Sequence, residues 1–128
     1  MAGNARDHAR AFEAAEYALR ECEKAVLAVP IFDPTGTTNR GMYLAASNGQ
    51  LIGDTVAPAN WTTTYPLAAL NGATAQPVCI AEEIKTPPLH PGTLTLLPGT
   101  ARVTAVGYGS SKNTQVMLVS YVNFLPAN

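Results

Sequence analysis

The chain has 128 residues, of which 47% are hydrophobic, and its formal net charge is −1. This length fits one domain, residues 1–128, that is large enough to bury a core. The near-neutral charge argues against a nucleic-acid binder, and no apolar run approaches the ~20 residues that span a bilayer.

Residues 1–29 have the periodicity of one long helix. Nine alanines lie within residues 2–28 and favour this structure, and Pro30 ends it. Apolar side chains recur at steps of three and four, which places them on one stripe. We expect that stripe to pack on a sheet: Phe12, Ala15, Leu19, Cys22 and Val26. A second face carries small side chains that allow close approach of another helix, so we expect a subunit interface at Ala11, Ala14 and Ala18.

Residues 30–75 form an irregular segment with weak secondary-structure signals. Turn residues are frequent there, and the runs MYLAA and QLI flank Ser47-Asn48-Gly49, which predicts a short hairpin. A segment of this length without regular structure is usually functional or variable.

Residues 76–128 have the pattern of a β-sheet. The predicted strands are 76–84, 101–109 and 114–124, and a connection rich in proline and glycine fills 85–100. Alternating side chains in the last two strands indicate a sheet that is packed on one side and partly covered on the other. The sequence therefore predicts an α+β fold, with the long helix packed on an antiparallel β-meander.

No residue pattern points to catalysis, a metal or a cofactor. His8 and His90 are the only histidines, and neither belongs to a metal-ligand motif. The acids Asp33, Asp54, Glu82 and Glu83 lack the spacing of a calcium loop and are expected to be solvated. The run 107–112 lacks a following helix and predicts a hairpin turn rather than a phosphate loop. We expect a protein that is not an enzyme.

The two cysteines leave two alternatives open. Cys22 lies on the predicted buried stripe of the helix, and Cys79 lies in the first strand of the sheet that this helix covers. Each alone is most simply a small core residue. Their places on facing elements make a disulfide equally plausible, and it would close a loop of about 57 residues and stabilise the fold by roughly 4 kcal/mol.

The opening segment MAGNARDHARAFEAAEYALRECE strongly resembles the conserved segment of PilX-type minor pilins of type IV pili. In that family a Met-Ala-Gly-Asn run leads into Arg-Asp and then an alanine-rich helix. QPVCIAEEI is similar to the family's first strand, and ARVTAVGYGSSKNTQVMLVSYV to its closing hairpin. The resemblance covers about half of the chain, at both ends. It departs from the family at Val78-Cys79, where Arg-Tyr is expected.

The resemblance implies the type IV pilin fold, with residues 30–75 as the irregular αβ-loop. It also implies a leader and an apolar membrane helix before Met1. The implied protein resides in the inner membrane and periplasm of a Gram-negative bacterium and then in the extracellular pilus. It would prime pilus assembly with other minor pilins, contact the major pilin and help to carry the tip adhesin.

Two alternatives to this function remain open. One is a pseudopilin of a type II secretion system, which shares the architecture. The other is a periplasmic or surface binding module that functions in adhesion and uses residues 30–75 as its binding surface.

Overall fold

A computed structural model describes residues 2–44, 51–71, 73, 75–84, 99–110 and 113–124. The architecture is α+β, which confirms the predicted class. The elements in chain order are helix α1 (Ala2–Ala28), strand β1 (Met42–Leu44), the short helix α2 (Ile52–Thr55), a 3-10 turn (Pro58–Asn60), and strands β2 (Val78–Ile84), β3 (Thr100–Tyr108) and β4 (Gln115–Asn123).

The four strands form one mixed sheet in the order β1-β2-β3-β4. Strands β2, β3 and β4 are antiparallel neighbours, as predicted. The expectation of a purely antiparallel meander was wrong, because β1 joins the edge parallel to β2, with Met42 opposite Ala81. A strand of three residues is too short to show a period of two, so the sequence could not reveal it.

The hairpin predicted around Ser47-Asn48-Gly49 is also not formed by its flanking residues. The turn of that predicted hairpin falls on residues 45–50, which lie outside the described part of the chain. The preceding run, Met42–Leu44, pairs with β2, and Ile52 begins α2 instead of a returning strand.

The sheet has a buried core on each face. The face toward α1 and the irregular segment carries the larger core: Ala18, Cys22, Val26, Met42, Cys79, Ala81, Ala101, Val103, Ala105, Val122 and Phe124. The outer face carries a smaller one, formed by Tyr43, Trp61, Ile80 and Val106. The indole N–H of Trp61 donates to the Val56 carbonyl at 3.0 Å, which satisfies its polar group. Residues after α2 therefore cover part of the outer face.

The small-residue face of α1 packs on the sheet, so the interface expected at Ala11, Ala14 and Ala18 was wrong. All three side chains are buried within the domain. They lie over a part of β3 where Gly107 has no side chain, and a Cβ there would lie 2.1 Å from the Ala11 carbonyl oxygen. Small residues on both elements allow this close approach, so the face is not available to another subunit.

The residues of the stripe predicted to pack on the sheet differ in burial. Ala15, Cys22 and Val26 are buried, and Leu19 is partly buried against the core. The expectation was wrong for Phe12, whose side chain is 45% exposed. Because the alanines occupy the centre of the contact, Phe12 lies on the flank of the helix and its ring reaches solvent.

Candidate functional site

A disulfide links α1 to the sheet at the centre of the core. It joins Cys22 to Cys79, and both side chains are fully buried. Cys22 lies about three quarters of the way along α1, and Cys79 lies near the start of β2. This covalent bond holds the helix at one position along the sheet, and therefore fixes which helix residues face outward.

A cleft of about 420 Å³ opens beside the N-terminal half of α1. Its walls come from α1, from the irregular segment and from the end of β3: Arg10, Glu13, Ala14, Tyr17, Leu70, Asn71, Ala73, Tyr108, Gly109 and Ser110. The Tyr17 hydroxyl donates to the Ala68 carbonyl at 2.9 Å and ties the segment to the helix. Two tyrosines, one cation and one anion give the cleft the chemistry of a binding surface for a polar partner.

Asp7 contacts Ser110, one of the residues that line this cleft. Its Oδ1 accepts a hydrogen bond from the Ser110 backbone N–H at 2.7 Å. This bonding to Ser110 lowers the pKa of Asp7 below its ordinary value, so the carboxylate is charged at neutral pH. Gly109 is required nearby, since a Cβ there would lie 2.8 Å from the Asp7 carbonyl oxygen. The contact joins the first turns of α1 to the β3–β4 connection.

Glu82 is a buried carboxylate on the outer face of the sheet. Only 1% of the residue is exposed, so the expectation of a solvated acid was wrong. Its two oxygens accept hydrogen bonds from the backbone N–H groups of Ile52 (2.5 Å) and Gly53 (3.0 Å). These two N–H groups lie in the first turn of α2, where the helix itself offers them no carbonyl acceptor. Burial raises the pKa of Glu82, and the two backbone bonds oppose that shift.

An ion pair between Arg102 and Asp54 lies beside the Glu82 carboxylate. Arg102 donates from both terminal nitrogens to the two oxygens of Asp54, each at 2.7 Å. The pairing lowers the pKa of Asp54 and raises that of Arg102. All four carboxylate oxygens of Glu82 and Asp54 therefore accept bonds from the protein. The cluster holds α2 against β2 and β3.

Sequence reasoning missed this cluster, although one signal was available. Glu82 shares a strand face with Ile80, a buried residue, because side chains two apart point the same way. A charge on an apolar strand face needs a partner. The cross-strand neighbour of Glu82 is Arg102, but the two N–H groups of α2 could not be identified from sequence.

The remaining residues considered for chemistry do not converge. His8 is exposed on α1, and His90 lies outside the described residues. Asp33 accepts hydrogen bonds from Thr35, Thr37 and the Thr38 N–H within its own loop, and the Thr35 bond lowers its pKa. In the described part of the chain, no three His, Cys, Asp or Glu side chains are placed to hold a metal ion.

Comparison of the chain with family models, curated proteins and solved structures finds no match. Within the described ranges, no helix has the length and apolarity needed to cross a membrane. The function therefore has to be inferred from the chain's own residues and contacts.

Proposed function

We propose that the chain is a minor pilin, a structural subunit that primes assembly of a type IV pilus together with other minor pilins. One observation carries the proposal. The segment that resembles PilX-type pilins lies in a helix of 27 residues, and the helix packs along a sheet through one continuous stripe. A long helix on a sheet is also what the pilin fold requires.

The disulfide supports this proposal in a second way. Disulfides persist in oxidising compartments such as the periplasm. A buried Cys22–Cys79 bond suits a protein that passes from the inner membrane and periplasm to an extracellular pilus. We propose that the chain performs no catalysis, and that its partners are other minor pilins, the major pilin and a tip adhesin.

We propose that the surface that meets other pilins lies on the exposed side of α1, since the alanine stripe is buried. Phe12 is exposed there, and Ala5, His8 and Ala9 near it are exposed too. An aromatic ring bordered by two alanines and a histidine provides a contact for a neighbouring helix. We therefore place the subunit contact at this patch, in place of Ala11, Ala14 and Ala18.

A complementation experiment in the bacterium that carries the gene tests the proposal. The gene is deleted, and wild type, Phe12→Asp or Leu27→Asp is supplied in its place. Leu27→Asp is the matched control, because Leu27 is another exposed apolar residue of α1, near its far end. Surface pili are counted by electron microscopy, and twitching is measured on agar.

We expect few pili after deletion, restored by wild type and Leu27→Asp but not by Phe12→Asp. The purified Phe12→Asp protein should lose no more than about 1–1.5 kcal/mol of stability and stay folded, because about half of Phe12 is already exposed. Normal piliation in the deletion strain would refute the proposal. Loss of protein secretion with normal pili would favour the pseudopilin alternative.

The cleft beside α1 favours a second candidate, a binding module for adhesion. The irregular segment supplies Leu70, Asn71 and Ala73 to its wall. Arg10→Ala and Tyr17→Ala would then reduce attachment to surfaces without reducing pilus number. If attachment is unchanged in both variants, this second function is rejected.

A further inference from the structure

Strand β4 is an edge of the sheet among the described residues, where it pairs only with β3. The Phe124 N–H donates to Gly99 and the Gly109 N–H to Thr114. In this antiparallel register, even-numbered residues of β4 direct their backbone groups toward β3. Because direction alternates along a strand, Met117, Val119 and Tyr121 direct their N–H and C=O groups outward.

This edge lacks the features that usually prevent strand pairing. Residues 115–123 contain no charged residue and no proline, and their register with β3 continues without a bulge. Three apolar side chains on the outer face are exposed: Met117 by 44%, Val119 by 41% and Tyr121 by 64%. Natural edge strands normally carry charges, prolines or bulges, so a long uncharged edge indicates a pairing surface.

The sequence of β4, QVMLVSYVN, is self-complementary about its central residue, Val119. Antiparallel pairing of two copies places Gln115 opposite Asn123 and Val116 opposite Val122. It also places Met117 opposite Tyr121, where a thioether meets an aromatic ring. No like charges meet, and every outward backbone group faces a partner, which permits about ten new hydrogen bonds.

We infer that two copies of this chain associate through their β4 strands, around a two-fold axis at Val119, and form one continuous sheet. Such an interface is isologous, because the same surface is used by both copies. It does not depend on the proposed function, since it uses the edge of the sheet and not the Phe12 patch of α1.

The position of α1 allows this pairing. Ala11 lies against Gly107 of β3, so the helix runs above β3 in this part of the sheet. The two copies of β3 would be three strand spacings apart, about 14 Å. Packed helices lie about 8–10 Å apart. The two helices therefore do not collide when the β4 strands pair.

Single cysteines in the purified chain test both association and register. Cys22 and Cys79 are bonded to each other, so an added cysteine supplies the free thiol. Val119→Cys should form a disulfide dimer under mild oxidation. Met117→Cys should not dimerise alone, because its two copies would be about 14 Å apart, beyond disulfide reach. A mixture of Met117→Cys and Tyr121→Cys should give the heterodimer.

Sedimentation equilibrium supplies the second measurement. Wild type should show a concentration-dependent dimer that Val119→Lys abolishes and Ala69→Lys, on an exposed loop, preserves. At a concentration where wild type is monomeric, Val119→Lys should melt within about 5 °C of wild type, because Val119 is 41% exposed. The inference is overturned if wild type stays monomeric and Val119→Cys does not cross-link. It is also overturned if Met117→Cys by itself forms as much disulfide dimer as Val119→Cys does. A third refuting result is that Val119→Cys in cells cross-links only to a different protein.

Discussion

Replacing Gly107 by alanine tests how closely α1 lies on β3. The added Cβ would lie 2.1 Å from the Ala11 carbonyl oxygen and 2.3 Å from the Ala15 nitrogen. An ordinary contact begins at 3.4 Å, so the helix would have to retreat by 1.3 Å, the difference between 3.4 and 2.1. These are backbone atoms, and no side-chain rotation can relieve the contact.

Two effects of opposite sign decide the stability of this variant. Alanine restricts the unfolded chain more than glycine does, which alone would stabilise the fold by about 0.4–1 kcal/mol. Overpacking costs about 1–3 kcal/mol or more, and the upper end applies because the disulfide at Cys22 limits retreat of the helix. We expect a net loss of about 2–2.5 kcal/mol and a melting temperature lower by about 8 °C.

Thermal and denaturant unfolding of the oxidised protein, followed by circular dichroism, measure this loss. Gly53→Ala is the comparison, since its Cβ would meet the Thr104 hydroxyl, 2.7 Å away. That atom belongs to a side chain, so a smaller loss is expected. If Gly107→Ala is as stable as wild type or more stable, α1 does not lie against β3 through its alanines.

Three further predictions concern the core and the buried carboxylate. Replacing Cys22 and Cys79 together by alanine should lower the free energy of unfolding by about 4 kcal/mol, because the bond closes a loop of 57 residues. If wild type melts at the same temperature with and without reductant, the prediction is contradicted. Ala18→Glu should destabilise the purified domain by about 3 kcal/mol or more, because Ala18 is fully buried in the core and the glutamate would bury a charge. A wild-type melting temperature would show that Ala18 is a surface residue. Burial raises the pKa of Glu82 above its ordinary value of 4.5, so its contribution to stability is present below pH 4.5 and declines as the pH rises toward the raised pKa. Denaturant unfolding across this range should show Glu82→Gln gaining stability relative to wild type with rising pH, and a constant difference would refute the assignment.

The elements with long periodic patterns could be predicted from sequence. The helix was expected over 1–29 and forms at Ala2–Ala28, and three strands were expected close to where β2, β3 and β4 lie. Strand β1 and helix α2 have three and four residues. Elements of this length form because neighbouring elements supply hydrogen bonds, as Glu82 does for α2, and such partners are distant in sequence.

Only the tertiary structure shows which residues of α1 are buried and which are exposed. The sequence alone determined that α1 is helical and that it has two faces able to pack, because spacing and propensity are local properties. Which face lies on the sheet depends on the shape of the opposing surface, and Gly107 gives β3 a shape that admits the backbone of an alanine-lined helix. That contact buries Ala11, Ala14 and Ala18 and leaves Phe12 exposed. The physical reason is that burial results from the fit of two surfaces, and the second surface lies about a hundred residues away along the chain.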